Sequence, residues 1–343
     1  IPASVESIGD YAFHSASALT SVTIPASVTS IGTRVFQSAS ALTSITVTQP
    51  NTDYKDISGV LFNKDGTTLI QYPIGNTRTT YTIPEGVISI GSYAFQGATS
   101  LTSITIPASV TSIGEGAFQS TSALTTVTFE ADSSLTSIGN SVFQYASALT
   151  SITIPASVES IGDYAFYEAS ALTSITIPAS VTSIGTRAFY QASALTSITI
   201  PASVESIGES AFSGATSLTT VTFDTDSSLT SIGLGLFDGT TSLTSIIIPA
   251  SVTSIGDYAF LSTSALTTVT FEQGSLLNSI SLSAFQYSGV TTITASQPLI
   301  DSMGWKTTEL NIISGKSGIT IPTPPPTPIC FPAGTPVTTD QGL

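Results

Sequence analysis

The stretch Leu172-Thr173-Ser174-Ile175-Thr176-Ile177-Pro178-Ala179-Ser180-Val181-Thr182-Ser183-Ile184-Gly185-Thr186-Arg187-Ala188-Phe189 decides the fold. Its opening places apolar side chains at Leu172, Ile175 and Ile177, with Ser and Thr between them. Alternation with period two reads as a short, half-buried strand. Pro178 ends the strand, because proline supplies no backbone donor. The rest must carry the chain back to the next strand. In the first copy the apolar residues of that return are Val5, Ile8, Ala12 and Phe13, with Gly9 permitting a tight bend. We expect a turn followed by a short helical or irregular arm.

The same pattern recurs along the chain. Units start at Ile1, Ile24, Val47, Ile83, Ile106, Phe129, Ile154, Ile177, Ile200, Phe223, Ile248 and Phe271. Most steps are 23 residues, those from Phe129 and Phe223 are 25, and the step from Val47 is 36. A strand-forming unit at such a period is the mark of a solenoid, in which each unit buries its apolar face on its neighbours. The expected fold is a right-handed array with one short parallel strand per unit and turn or short helical arms on the other face. Phe13, Phe36, Phe95, Phe118, Phe143, Phe166, Phe189, Phe212, Phe237, Phe260 and Phe285 recur at one place and read as a stacked core spine. Residues 1–46 also match 154–199 with six differences, including His14 against Tyr167 and Val35 against Ala188. The surface therefore repeats its chemistry, which suits avidity for a repetitive target or records simple repeat expansion with no selection on the surface.

Composition narrows the function. The 343 residues carry 22 acidic and 7 basic side chains, a formal net charge of −15. Phosphate binding needs clustered Lys and Arg, so nucleic acid is not the expected partner. An anionic membrane surface is disfavoured for the same reason. No apolar run approaches the ~20 residues of a membrane span. The chain starts at Ile1, so any leader would be invisible. The single cysteine, Cys330, excludes an internal disulfide.

Neighbouring strands of a parallel stack lie about 4.8 Å apart, so outward positions line up in columns. One column holds Ser21, Ser44, Ser103, Thr126, Ser151, Ser174, Ser197, Thr220, Ser245, Thr268 and Thr292. The second holds Thr23, Thr46, Thr105, Thr128, Thr153, Thr176, Thr199, Thr222, Ile247, Thr270 and Thr294. The face is a hydroxyl and methyl lattice with almost no charge. It can be strand-compatible filler, a binding face for protein or glycan, or a lattice that orders water as ice. It lacks the Trp, Tyr and Arg anchors common at interface hot spots, so each contact with a partner would be weak.

On these residues the units resemble BspA-type leucine-rich repeats, a family of surface and secreted proteins. The matching pattern is Leu-x-x-Ile-x-Ile followed by Pro-x-Ser-Val-x-Ser-Ile-Gly-x-x-Ala-Phe, over residues 1–294. Residues 54–83 resemble a variant unit of that family through Gly59-Val60-Leu61-Phe62 and Leu69-Ile70-Gln71-Tyr72-Pro73. They read as an extra hairpin turning at Asp65-Gly66. Ser27, Ser109, Ser157 and Ser180 replace the usual asparagine after the strand, and a serine hydroxyl can satisfy backbone groups there. The resemblance implies an extracellular or cell-surface recognition and adhesion module with a protein or glycan ligand. A passive structural stalk and an ice-binding lattice are the alternatives.

Catalytic chemistry is not expected of the array. His14 is the only histidine, and its counterpart Tyr167 shows that the position tolerates change. Sites built on Cys and His are excluded by count, and the acidic residues lack EF-hand spacing. Gly315-Lys316-Ser317 lacks the upstream glycine of a phosphate loop. No cofactor or metal is implied.

The pattern fades after residue 294. Residues 295–318 read as a C-terminal cap, and 319–329, rich in proline, as an extended linker. Residues 330–343, from Cys330-Phe331-Pro332-Ala333-Gly334-Thr335-Pro336-Val337 onward, resemble the truncated start of a Hint domain, the self-processing module of inteins and hedgehog-type proteins. That resemblance makes Cys330 the nucleophile that attacks the Ile329 carbonyl to form a thioester. The family's Thr-x-x-His element is absent, so this piece is expected to be inert.

Overall fold

The computed structural model describes residues 1–296, together with Leu299 and Met303. The array is a parallel β-solenoid, and residues 1–296 contain no helix. Each unit contributes the expected strand, for example Ser21–Ile24, Ser103–Ile106 or Ser197–Ile200. These strands pair in register one repeat apart: Ser21 with Ser44, Thr105 with Thr128, Thr199 with Thr222. Their inward residues, such as Ile24, Ile45, Ile104 and Ile198, are buried. The sequence pattern shows one strand per unit. The structure adds a second of two residues, Ser7–Ile8, Ser30–Ile31, Ser160–Ile161, Ser183–Ile184 and their counterparts, which forms a second parallel ladder. Two residues are too few to show alternation. The strand exists because the next turn's glycine closes it, as in Gly185 N–H to the Ile161 carbonyl at 2.8 Å.

The arms take the turn form of the expectation, not the helical one. Two positions per arm adopt left-handed backbone, such as Tyr164 (φ 58°) and Glu168 (φ 53°). With those reversals, alternate N–H groups point along the solenoid instead of back into their own segment. Tyr164, Phe166 and Glu168 donate to the carbonyls of Thr186, Ala188 and Tyr190 at 2.7–2.9 Å. A helix would have used those donors internally. The serines after the strand act as anticipated. Ser27, Ser109 and Ser180 donate to the carbonyls of Val5, Val87 and Val158 of the preceding turn at 2.6–2.7 Å.

Phenylalanine forms the spine. From Phe95 to Phe285 successive rings stack at 4.9–5.7 Å and within 20° of parallel. The spacing is the strand spacing of the ladder transmitted to the core. Burial of each ring contributes roughly 1.5–3 kcal/mol. The spine is not continuous. Phe13 stacks on Phe36, but the next ring after Phe36 belongs to Tyr72, which stacks on Phe95. The core divides there into one cluster around Ile24, Phe36 and Leu42 and a second running from Val60 to Leu299.

The insertion causes that division. Tyr54–Ile57, Val60–Asn63 and Thr68–Gln71 form an antiparallel meander. One of its turns holds Asp65-Gly66, as read from the sequence. The other is Ser58-Gly59, with φ of 53° and 83°, which the sequence reading did not single out. The strand after the meander, Thr80–Thr82, does not show the repeat pattern, because Tyr81 stands where the other units have Ile or Val. Of the cap region, Ala295 and Leu299 are buried and Met303 packs on the core. The linker 319–329 and residues 330–343 with Cys330 lie outside the described residues.

Candidate functional site

The two hydroxyl columns line one face of the long ladder. Ser21, Thr23, Thr126, Thr128, Ser151, Thr153, Ser174, Thr176, Ser197, Thr199, Thr220 and Thr222 are exposed, while Ser44, Ser103, Thr105, Thr268 and Thr270 are half-buried. A third column escaped the sequence reading. Thr43, Thr102, Thr125, Thr173, Thr196 and Thr219 each donate a hydroxyl to the carbonyl of the threonine one turn earlier, at 2.9–3.3 Å. The signal was present as the first Thr of Leu-Thr-Ser-Ile-Thr, but that residue precedes the strand. Its donor is spent inside the ladder, which leaves the oxygen lone pairs and the methyl group. Thr80 and Thr82 also belong to the columns.

The face has interruptions. After Thr46 the ladder does not continue to Thr80; Ile45 N–H bonds instead to the Gly59 carbonyl at 2.9 Å. Ile247 stands in the second column with 57% of its surface exposed, the lone large apolar side chain among those hydroxyls.

The arms carry a second surface of different chemistry. The residue after the spine Phe is glutamine in three successive turns, where Gln96 donates to Gln119 and Gln119 to Gln144, each at 2.5 Å. In the next two turns it is tyrosine. Tyr167 and Tyr190 stack at 4.9 Å and 10°. Tyr145 meets Tyr167 edge-on at 5.5 Å, and Tyr164 lies 5.7 Å from it. The Arg187 guanidinium sits 5.7 Å from the Tyr190 ring centre. Desolvation and the adjacent Glu168 carboxylate raise the pKa of Tyr167, so its hydroxyl stays protonated and can donate. No pattern within one unit shows this cluster, because its four tyrosines come from three turns.

A third feature is a shallow groove of about 400 Å3 along the short ladder, over Ser160, Ser183 and Ser206. Its rim is held by Asn140 and Asp163, whose side-chain oxygens accept the N–H groups of Asp163 and Thr186 at 2.9 and 2.7 Å. Those bonds occupy the polar rim with structural work.

The His14 ring bonds the hydroxyl of its neighbour Ser15 at 3.1 Å on an exposed turn. Among the described residues no group of three His, Cys, Asp or Glu side chains could hold a metal ion. No helix among them is long and apolar enough to cross a membrane.

Comparison with known proteins agrees with this geometry. No curated protein sequence matches the chain. Among solved structures, a leucine-rich repeat protein from Eubacterium ventriosum is 28% identical with a TM-score of 0.51, over 62% of this chain and 63% of its own. The chain thus spans somewhat under two thirds of that relative. A leucine-rich cell surface protein from Faecalibacterium prausnitzii is 27% identical with a TM-score of 0.47, over 92% of this chain and 87% of its own. A leucine-rich repeat protein from Bacteroides ovatus is 24% identical with a TM-score of 0.49, over 87% and 84%. The BspA type leucine-rich repeat region matches residues 1–75, 75–196 and 182–304. On that coverage the chain belongs to the BspA type leucine-rich repeat family.

Proposed function

We propose that the chain is an extracellular or cell-surface recognition module that binds a protein or glycan through its hydroxyl face. The observation that carries this reading is the set of in-register, uncharged Ser and Thr columns, together with the half-buried Tyr164, Tyr167 and Tyr190, the exposed Tyr145 and Arg187 on the arms. The columns offer many weak, repeated contacts. The tyrosines and arginine are the residue types that anchor interfaces. Family membership supports display outside the cell and binding of proteins.

The test uses purified chain on a panel of immobilised matrix proteins and glycans. Thr176→Lys with Thr199→Lys places charge on the face, and Tyr167→Ala removes the centre of the cluster. For a partner found on the panel, at least one of these variants weakens binding more than 10-fold with the circular dichroism spectrum unchanged. Binding indifferent to both would remove this face from the function. An ice-ordering lattice is the second reading, favoured by the Thr-to-Thr register of residues 105 with 128, 153 with 176 and 199 with 222. The break after Thr46 and the Ile247 side chain work against it, and a lack of thermal hysteresis at high concentration would end it. A chain with neither partner nor hysteresis is a stalk.

The proposal extends to a Hint domain after the linker, on the resemblance of residues 330–343. There the Cys330 sulfur adds to the Ile329 carbonyl, the peptide C–N bond breaks, and the freed amine of Cys330 takes the thiol proton. In a complete reading frame, Cys330→Ala abolishes cleavage at this bond; cleavage that persists in the variant would show the assignment to be wrong.

A further inference from the structure

The meander leaves a notch in the side of the solenoid. Leu69 pairs with Ile90 in the short ladder, and Tyr72 stacks on Phe95. Tyr72 follows Leu69 by three positions, whereas Phe95 follows Ile90 by five. The arm of the third turn therefore lacks the left-handed bulge that carries Arg34 in the turn before it and Tyr93 in the turn after. The gap is a cleft of about 210 Å3 with an apolar floor of Ile31, Phe36, Leu61 and Ile70.

Backbone donors open onto this gap. In the fourth turn Tyr93, Phe95 and Gly97 donate their N–H groups forward to Glu115, Ala117 and Gln119 at 2.7–2.9 Å. Their counterparts in the second turn are the N–H groups of Arg34, Phe36 and Ser38. These have no acceptor among the described residues, since the short third arm brings none into range. Arg34 and Ser38 are left-handed, with φ of 53° and 60°. Backbone N–H groups left without acceptors in a left-handed turn form a concavity that suits an anion. The guanidinium of Arg34 spans the rim. It donates to the Tyr11 hydroxyl at 3.1 Å and lies 3.7 Å from the Tyr93 ring centre, which fixes its place.

Charge agrees. Residues 34–78 hold four basic and three acidic side chains, while residues 79–296 hold one and fourteen. This is the part of the array that repels an anion least.

We propose that the notch binds an aliphatic carboxylate, in the form of a peptide's C-terminal residue. One carboxylate oxygen accepts from the Phe36 N–H group, the other from the guanidinium, and the aliphatic side chain covers the floor. Capture of a chain terminus by such a backbone concavity is a general recognition mode. The cleft is smaller than the ~300 Å3 at which drug-sized sites begin, so it takes a single side chain. This site is separate from the hydroxyl face and does not depend on its function.

The experiment is a titration of ¹⁵N-labelled chain, observed at the amides of Arg34, Phe36 and Ser92. The probes are N-acetyl-Ala-Leu, its C-terminal amide, and isocaproate. Saturable shifts are expected with the two acids, at least 10-fold weaker with the amide. Tighter binding of the peptide than of isocaproate marks a chain terminus as the ligand; equal binding marks a free acid of the same chemistry. Arg34→Gln should abolish the shifts at equal probe concentration, and Arg78→Gln, which removes the same charge nearby, should not. Ser92→Phe blocks the mouth without touching the clamp, and should also abolish them. No saturable shift in the unmodified chain, or equal binding of acid and amide, would overturn the proposal.

Discussion

At the scale of the residue, the turn geometry is bought with strain. Among the described residues, nineteen non-glycine residues sit at positive φ, most of them at the two arm positions represented by Tyr164 and Glu168. Left-handed backbone costs an L-residue about 1–2 kcal/mol. The forward hydrogen bonds those residues make, at roughly 0.5–1.5 kcal/mol each, offset part of it. Glycine is demanded elsewhere, where the short ladder brings turns closest. A Cβ on Gly185 would lie 2.4 Å from the Asp163 nitrogen and 2.5 Å from the Gly162 carbonyl carbon. Backbone cannot step aside as a flexible side chain does. Gly185→Ala should lose about 1–3 kcal/mol, the usual cost of overpacking. Gly9→Ala, which meets nothing within 4 Å, should be close to neutral. Urea midpoints of the two variants check this; equal midpoints would contradict the contact. Both glycines follow Ser-Ile in the sequence, and only the stacking tells them apart.

At the scale of the element, the long strand was legible because Leu-x-x-Ile-x-Ile alternates over enough residues to show its face. The short strand was not, since Ser183-Ile184 has no period to read. The arm was legible as a return path but not as turns. Its apolar residues, Val181, Ala188 and Phe189, fit a helix face as well, and the forward bonds that decide the matter go to residues about 23 positions away. The phenylalanine spine was legible as a column, except at its break. Phe189 is fully buried and lies between Phe166 and Phe212 at 5.2 and 5.3 Å. Phe189→Ala therefore removes a ring from both stacks and should cost about 3–5 kcal/mol. Phe13→Ala, at a half-buried ring stacked on one neighbour, should cost less. Chemical denaturation ranks the two, and the reverse order would contradict the spine's role.

At the scale of the molecule, stability in an array is a sum of unit and neighbour terms, so a weak junction is felt locally. That junction lies between Val47 and Val60, where the two core clusters part; the long ladder is interrupted there, as it also is after Phe129, Thr176 and Phe223, but the core is continuous at those three places. Native-state hydrogen exchange should therefore show two levels. Amides of Val22 and Ile45 should open at lower free energy than those of Ile152, Ile175 and Ile198 in the middle of the larger cluster. A single level across all of them would mean that the meander couples the clusters fully.

The sequence by itself determined the repeat, the long strand with its inward and outward faces, the core residues and the sparse, acidic surface. Each of these follows from apolar periodicity within one unit or from composition. Only the tertiary structure decided the second ladder, the turn form of the arms, the third threonine column, the tyrosine cluster and the notch at Arg34. Every one of those depends on which atoms of one turn face the next. Residues such as Tyr167 and Tyr190, or Arg34 and Tyr93, become neighbours through the stacking of turns, and no pattern local to either partner records that contact.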